Sequence, residues 1–155
     1  KALKKFLGIQ RRFTKVFSLG KREFYDDYAH HPTEIKSVLH GLREVYKKRK
    51  LISVFQPHRY SRVNNLKKEF ASSFILSDLV LLCPIYSAGE KSKLGFSYLN
   101  FSKEILKNSK TKVYLVNDQY ELGKFIKQNA YGKKIFIGMG AGSISNWIKQ
   151  LPKLL

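Results

Sequence analysis

Residues 26–34 hold a cluster of titratable side chains with more chemical potential than any other part of the sequence. Two carboxylates, Asp26 and Asp27, are followed by the phenol of Tyr28 and the imidazoles of His30 and His31. Such groups can move protons, bind a metal or hold a polar substrate. The cluster lies where an aromatic-rich stretch gives way to a helical pattern, and helix N-termini in open α/β proteins bind anions. We therefore predict a ligand site here.

The histidines could also form a zinc site, but their arrangement argues against one. His30 and His31 are adjacent, and His40 and His58 lie further along the chain. Adjacent side chains in extended backbone point to opposite sides, and the sequence contains neither an HExxH stretch nor a cysteine partner for the pair. We expect no metal site.

A second polar cluster, at residues 56–62, contains His58, Arg59 and Arg62. Two guanidiniums three residues apart at the start of a helix lie on one face and suit a carboxylate or a phosphate. Positive charge is unfavourable at a helix N-terminus, so arginines there call for an anion that offsets the repulsion. Surface ion pairs with Glu69 or Asp78 are the alternative explanation.

Glycines 138, 140 and 142 follow a predicted strand and precede a predicted helix. The spacing resembles a dinucleotide fingerprint, but it falls at the last strand, and the chain ends before the acidic residue expected about 20 positions on. We interpret residues 138–143 as a tight turn that lets a ligand or neighbouring domain approach the backbone; a purely structural turn is an equal alternative. The sequence has no GxxxxGKS/T stretch, so we expect this chain alone to hydrolyse no ATP.

The hydrophobic pattern predicts the elements that position these clusters. Residues 11–17 and 22–28 predict two strands of a β-hairpin, and apolar residues at spacings of three and four predict a helix from Pro32 to about Lys48. Further units of strand, polar turn and helix follow. The predicted strands cover residues 51–55, 79–83, 112–116 and 134–137. The predicted helices are one that runs through Leu66 and Phe70 towards Phe74, and those over residues 101–106, 120–128 and 144–151.

This alternation predicts an α/β fold with a mostly parallel sheet of about six strands, helices on both faces and an antiparallel hairpin at one edge. Loops at the carboxyl ends of parallel strands meet at one rim of the sheet. We therefore expect the polar segments after Asp27, Phe55, Cys83 and Ile137 to converge.

Composition indicates one folded domain. The 155 residues are 43% hydrophobic and 14% aromatic, which suits a single sizeable core. The net charge of +19, from 30 Lys and Arg against 11 Asp and Glu, invites a nucleic-acid-binding hypothesis. The basic residues are spread along the chain without forming a tail, which argues against this hypothesis. A basic nucleic-acid-binding module is kept as the alternative from a different functional class.

The single cysteine, Cys83, lies in an apolar run and is expected to be a buried thiol, which points to a reducing, cytoplasmic compartment. No apolar stretch approaches the ~18 residues of a membrane span, and no signal-peptide pattern opens the sequence. The chain begins with Lys1, and residues 1–8 look like the end of a helix that stops at Gly8. We expect a fragment of a longer protein.

Four segments together resemble the Mur ligase family, whose members build the peptidoglycan stem peptide. They read DDYAHHPTEI at residues 26–35, FQPHRYSR at 55–62, YSAGE at 86–90 and GAG at 140–142, and RRF at 11–13 fits the start of the family's C-terminal domain. The resemblance covers essentially the whole chain. It implies that residues 1–155 are a single Rossmann-like C-terminal domain, with the UDP-binding and central ATPase domains outside this chain.

The resemblance also implies a reaction and its partners. In the branch of the family that adds L-alanine, ATP phosphorylates the carboxylate of UDP-N-acetylmuramate, and the amine of L-alanine attacks the acyl phosphate. ATP and Mg²⁺ are bound mainly by the central domain. The C-terminal domain packs against the ATPase domain of its own chain and closes the site, so the isolated domain is expected to be inactive and to bind neither nucleic acid nor membrane.

By resemblance, the side chains that line the amino-acid and nascent-peptide pocket are those of Tyr28, His30, His58, Arg59 and Arg62. The two arginines would hold a carboxylate, and Asp27 would contact the ribose of ATP. These residues position and neutralise substrates, and none forms a covalent intermediate.

Two points qualify the resemblance. The family commonly has Asp where this chain has Ser143, which leaves open a role for residues 138–143 in contacting a partner. The alternative within the family is the ligase that recycles murein tripeptide, which shares an Asp-Asp-x-x-His-His-Pro stretch. Residues 55–62 favour the alanine-adding branch.

Overall fold

The computed structural model describes residues 12–91 and 96–155. The described strands are β1 (Thr14–Leu19), β2 (Arg22–Asp27), β3 (Lys50–Phe55), β4 (Leu79–Leu82), β5 (Lys112–Leu115) and β6 (Lys134–Met139). The described helices are α1 (Pro32–Val45), α2 (Tyr60–Asn65), α3 (Lys67–Ala71), α4 (Tyr98–Ser109), α5 (Gln119–Gln128) and α6 (Ile144–Leu154). The helix end predicted at Gly8 and the predicted strand start at Arg11 lie outside the described residues.

The six strands form one sheet in the order β1-β2-β6-β3-β4-β5. β1 pairs with β2 antiparallel through the turn at Gly20, and the remaining neighbours are parallel. The predicted α/β fold with its antiparallel edge hairpin is therefore confirmed. The central position of β6 between β2 and β3 brings the last turn of the chain beside the first two polar clusters.

Two apolar layers cover the sheet. On one face, α1 to α4 bury residues such as Ile35, Leu39 and Phe101 against alternate strand residues. On the other face, α5 and α6 bury Leu122 and Ile148 in a separate cluster that also holds Cys83. Burial at spacings of three and four along α1 reproduces the predicted pattern.

Several helices differ from the predictions: α4 (Tyr98–Ser109) and α6 (Ile144–Leu154) are longer than the predicted 101–106 and 144–151, and two other differences have a visible cause. α1 ends at Val45 rather than about Lys48, because Tyr46 leaves the helical conformation (φ −114°, ψ 54°) and its hydroxyl lies 2.5 Å from that of Tyr25. The prediction of a single helix through Leu66 and Phe70 towards Phe74 is wrong. The segment forms two short helices that break at Leu66 (φ −117°, ψ 28°), whose side chain turns inward to pack on the core.

The last strand runs two residues further than predicted, through Gly138 and Met139. Gly138 fits in the strand because α6 packs so closely that a Cβ there would lie 2.5 Å from Cγ1 of Ile148. Cys83 is fully buried and unpaired, as predicted. Among the described residues, the helices are too short or too polar for any of them to cross a bilayer.

Candidate functional site

The carboxyl ends of the central strands bring the predicted polar clusters together. Asp27 and Phe55 are both paired with Met139, and Phe55 is also paired with Leu82. The loops after β2, β3, β4 and β6 therefore start side by side, and the predicted convergence is confirmed. This edge is called the rim below.

Four aromatic side chains form a continuous row along the rim. Ring centroids are 5.0 Å apart between Tyr28 and His30, 5.8 Å between His30 and His58, and 5.5 Å between His58 and Tyr86. The first two pairs meet edge to face, and the His58 and Tyr86 rings are stacked with 17° between their planes. The row offers polar ring atoms and flat apolar surface to a small ligand.

The start of α1 fixes His30 in this row. Nδ1 of His30 lies 2.9 Å from the carbonyl oxygen of Tyr28, and the backbone N–H groups of His30 and His31 both donate to Glu34. Burial opposes ionisation of Glu34, but these hydrogen bonds and the neighbouring imidazoles hold the pKa of its carboxyl below the ordinary value. Glu34 thus holds the loop that presents His30.

Arg62 adds a guanidinium to the row. Its Nη1 lies 3.3 Å from Nδ1 of His58, and because a guanidinium can only donate, this nitrogen of His58 must accept. The neutral imidazole therefore carries its proton on Nε2. Burial, then the charges of Arg62, His30 and Arg59, lower the pKa of His58 below its ordinary value, while Glu90 works in the opposite direction.

Arg59 lies beside this row at the start of α2, as predicted, but its own backbone is not helical. It precedes the first residue of α2, with φ 68° and ψ 129°, and its side chain is exposed. Within the described residues, neither Arg59 nor Arg62 has a carboxylate within ion-pairing distance; Asp78 pairs with Arg43 instead, at 2.9 Å. The alternative of surface pairs with Glu69 or Asp78 is therefore wrong.

Asp27 precedes Tyr28 as the last residue of β2, and its side chain is buried. Its Oδ1 accepts the backbone N–H of Ala29 at 2.8 Å and its Oδ2 that of Phe13 at 2.6 Å. Burial raises the pKa of this carboxyl, and the two hydrogen bonds offset the effect only in part. A cleft of about 350 Å³ opens beside it, and its lining residues include Arg12, Thr33 and Ser37.

The glycine turn packs against groups of the same domain. A Cβ on Gly140 would lie 2.7 Å from the backbone oxygen of Gln56, and one on Gly142 would lie 2.4 Å from Cγ of Tyr86. The buried amide of Gln56 donates to the Ser143 hydroxyl and accepts the N–H of Ile144, each at 3.0 Å. These contacts within the domain explain the glycines as parts of a purely structural turn.

Sequence reasoning missed the parts played by Gln56, Tyr86 and Glu90. Tyr86 and Glu90 belong to the YSAGE segment, which we quoted for its resemblance without giving it a role. The available signal was its place after a strand, at the same rim as the other clusters.

Across the described ranges, no three His, Cys, Asp or Glu side chains are grouped so that they could hold a metal ion.

Comparison with known proteins identifies relatives along the whole chain. Residues 11–142 match the family described as Mur ligase, glutamate ligase domain. A UDP-N-acetylmuramate–L-alanine ligase of Pelagibacter ubique is 60% identical over 155 residues, which are 100% of this chain and 33% of the relative. The chain therefore spans about a third of the length of that relative.

Two solved structures have a similar fold. The UDP-N-acetylmuramate–alanine ligase of Thermotoga maritima matches with a TM-score of 0.72 and 29% identity, covering 98% of this chain and 31% of that one. A murein peptide ligase from Psychrobacter arcticus matches with a TM-score of 0.75 and 21% identity, covering 99% of this chain and 31% of that one. The backbone similarity does not separate the two kinds of ligase, whereas the sequence identity favours the alanine ligase.

Proposed function

The chain belongs to the Mur ligase family, and from this we propose that it is the C-terminal domain of an ATP-dependent ligase that joins L-alanine to UDP-N-acetylmuramate. The observation that carries the proposal is the 60% identity to such a ligase along the entire chain. The rim supports it, because two guanidiniums without an ion-pair partner among the described residues lie beside a row of imidazoles and phenols, where an amino acid with a free carboxylate can bind.

In this proposal, the rim binds and orients the amino acid. Arg59 and Arg62 hold the carboxylate of L-alanine, and His30, His58 and Tyr28 line its pocket. When the domain closes, the amine of L-alanine is held against the acyl phosphate formed from UDP-N-acetylmuramate and ATP, and the nitrogen attacks the acyl carbon as phosphate leaves. Such positioning converts an encounter between two molecules into a reaction within one complex.

Asp27 is proposed to accept a hydrogen bond from a hydroxyl group of the ATP ribose. Its two carboxylate oxygens each receive one backbone N–H, and a carboxylate has about four acceptor sites, so capacity remains for a ribose hydroxyl. The adjacent cleft of about 350 Å³ gives room for part of a nucleotide. We place Mg²⁺ and most of the ATP contacts on the central domain of the full-length enzyme, against which this domain would pack in the cytoplasm.

Substitution of Arg59 by alanine in the full-length ligase tests the proposal. Loss of a charged hydrogen bond to the substrate carboxylate should raise the KM for L-alanine roughly 10- to 100-fold, with little change in the KM for ATP. Lys68→Ala is the matched control, because it removes a positive charge from an exposed position of α3. An unchanged KM for L-alanine in Arg59→Ala would contradict the role given to this arginine.

The choice of amino-acid substrate separates the two branches of the family. We expect the full-length enzyme to use L-alanine and to leave murein tripeptide unreacted when both are supplied with UDP-N-acetylmuramate and ATP. Ligation of the tripeptide in preference to L-alanine would favour the recycling ligase instead. The 155-residue chain by itself should release no phosphate from ATP.

A further inference from the structure

The loop that carries Glu90 holds the backbone of Arg59 in an unusual conformation. Arg59 has φ 68° and ψ 129°, outside the regions that residues with a Cβ ordinarily occupy, and such conformations persist only when the surroundings impose them. Two backbone hydrogen bonds of 2.9 Å impose it, since Tyr86 N–H donates to Pro57 and Arg59 N–H donates to Tyr86. Residues 57–59 are thereby tied to the segment that leads to Glu90.

α2 begins without a capping side chain of its own. Arg59 occupies the N-cap position, where its guanidinium has no acceptor atom to offer, and the first turn of α2 contains no acidic residue. Helix starts normally have a Ser, Thr, Asp or Asn at this position, which satisfies a free N–H group. The start of α2 therefore depends on an acceptor from elsewhere in the chain.

Glu90 supplies that acceptor from the neighbouring loop. Its Oε2 accepts the backbone N–H of Ser61 at 3.1 Å, and its Oε1 accepts the Ser61 hydroxyl at 2.5 Å. The Ser61 side chain and backbone lower the pKa of Glu90 most, and the backbone of Tyr60 and the charge of Arg59 add to this effect, while burial opposes it. The loop reaches Ser61 through two residues with positive φ, Ala88 (50°) and Gly89 (85°).

We propose that Glu90 is a positioning residue, which caps α2 across the rim and thereby fixes the direction of the guanidiniums of Arg59 and Arg62. This inference rests on the proposed function, since it assigns the two arginines to the substrate carboxylate. Ser61 lies between them in the sequence, so the one carboxylate holds the turn that carries both side chains. Removal of the cap would let the turn relax and move both guanidiniums away from their ligand.

The test compares Glu90→Ala, Glu90→Gln and Glu121→Ala in the full-length ligase. Glu121 is the matched control because its carboxylate likewise accepts a backbone N–H, that of Asn117 at 2.8 Å, in the loop after the edge strand β5, which is not one of the four loops of the rim. We expect Glu90→Ala to raise the KM for L-alanine about 10-fold without changing the KM for ATP, because small displacements of positioning groups weaken productive binding. Glu90→Gln should restore most of the loss, since its amide oxygen still accepts from Ser61.

A second measurement follows the cap directly. In the 155-residue chain, the exchange of the Ser61 amide proton with solvent should speed up in Glu90→Ala and remain slow in Glu121→Ala. An unchanged exchange rate of the Ser61 amide in Glu90→Ala would overturn the positioning role. So would an unchanged KM for L-alanine in Glu90→Ala if Arg59→Ala raised that KM, and the proposed function would then still stand. If Arg59→Ala itself left the KM for L-alanine unchanged, the proposed function would fail instead.

Discussion

Gly142 and Tyr86 are in such close contact that a Cβ on Gly142 would lie 2.4 Å from Cγ of Tyr86 and 2.6 Å from its Cβ. The Tyr86 ring in turn stacks on His58. The turn after the last strand thus sets the position of an aromatic side chain in a loop more than 50 residues earlier. Because Gly142 has no side chain, Tyr86 can pack directly against the turn and hold its place in the rim.

Substitution of Gly142 by alanine should destabilise the chain and displace the His58 ring. The added methyl group overlaps Tyr86 and the buried amide of Gln56, and overpacking of this kind costs about 1–3 kcal/mol in the free energy of unfolding. Urea denaturation of the 155-residue chain measures the loss of stability, and the NMR resonances of the His58 ring report the displacement.

Gly41→Ala is the control for that substitution. Gly41 lies at an exposed position of α1, and a Cβ there would meet no atom of another described segment within 4 Å. Alanine at this position should therefore stabilise the helix by up to about 1 kcal/mol. If both variants changed the free energy of unfolding in the same direction, steric overlap at Gly142 would not be the cause.

Sequence patterns predicted most of the fold because burial follows regular spacing. Apolar residues every three or four positions predicted α1, and short apolar runs predicted the parallel strands. The errors fall where tertiary contacts decide the backbone. Leu66 interrupts a helical pattern by turning into the core, and Tyr46 leaves α1 to meet the hydroxyl of Tyr25.

The rim was predictable as a location, but its internal contacts were not. The rule that loops meet at the carboxyl ends of parallel strands placed His30 beside His58. The positive φ of Arg59 depends on a hydrogen bond to Tyr86, and the cap on Ser61 comes from Glu90, 29 residues away. Contacts between distant segments of this kind leave no periodic signal in the sequence.

The Glu23 carboxylate predicts how stability depends on acid. Burial tends to raise its pKa, but hydrogen bonds from Tyr25, Arg49, Lys15 and Tyr46 outweigh that effect and lower the pKa to about 2. A lowered pKa means that the folded chain binds fewer protons than the unfolded chain, so stability declines as the pH falls from about 4.5 towards 2.

Glu23→Gln should therefore flatten this acid dependence. The variant has no proton to gain at this position, although it loses the charged partner of Arg49 and should be less stable at neutral pH. Thermal unfolding of both proteins between pH 2 and pH 7 gives the comparison. Parallel curves for the two proteins would show that Glu23 does not carry the effect.

Cys83 should resist alkylation in the folded chain. Its thiol is fully buried, and burial raises the pKa of the thiol far above its ordinary value, so the reactive thiolate is absent. Labelling with iodoacetamide at pH 8 should be slow in buffer and complete in denaturing urea. Labelling in buffer at the rate of a free thiol would contradict the burial of Cys83 between the sheet and the second apolar layer.

The ionisation of His58 predicts a pH dependence at the rim itself. Burial and the charges of Arg62, His30 and Arg59 lower its pKa in the folded chain below the value of about 6.5 of an unperturbed histidine. Between the two pKa values the unfolded chain binds more protons, so this group makes stability fall as the pH drops below about 6.5.

Arg62→Gln should raise the pKa of His58, because Arg62 is the largest of the charges that lower it. NMR titration of the His58 ring in the 155-residue chain measures the pKa, and the ¹⁵N shifts report whether the neutral ring carries its proton on Nε2, as the contact between Nδ1 and Arg62 requires. Lys68→Gln removes an exposed charge elsewhere and should leave the titration unchanged. If the pKa of His58 stayed the same or fell in Arg62→Gln, the guanidinium would not face His58 in solution. His58 and Arg62 could not then present a neutral imidazole and a cation to the same substrate.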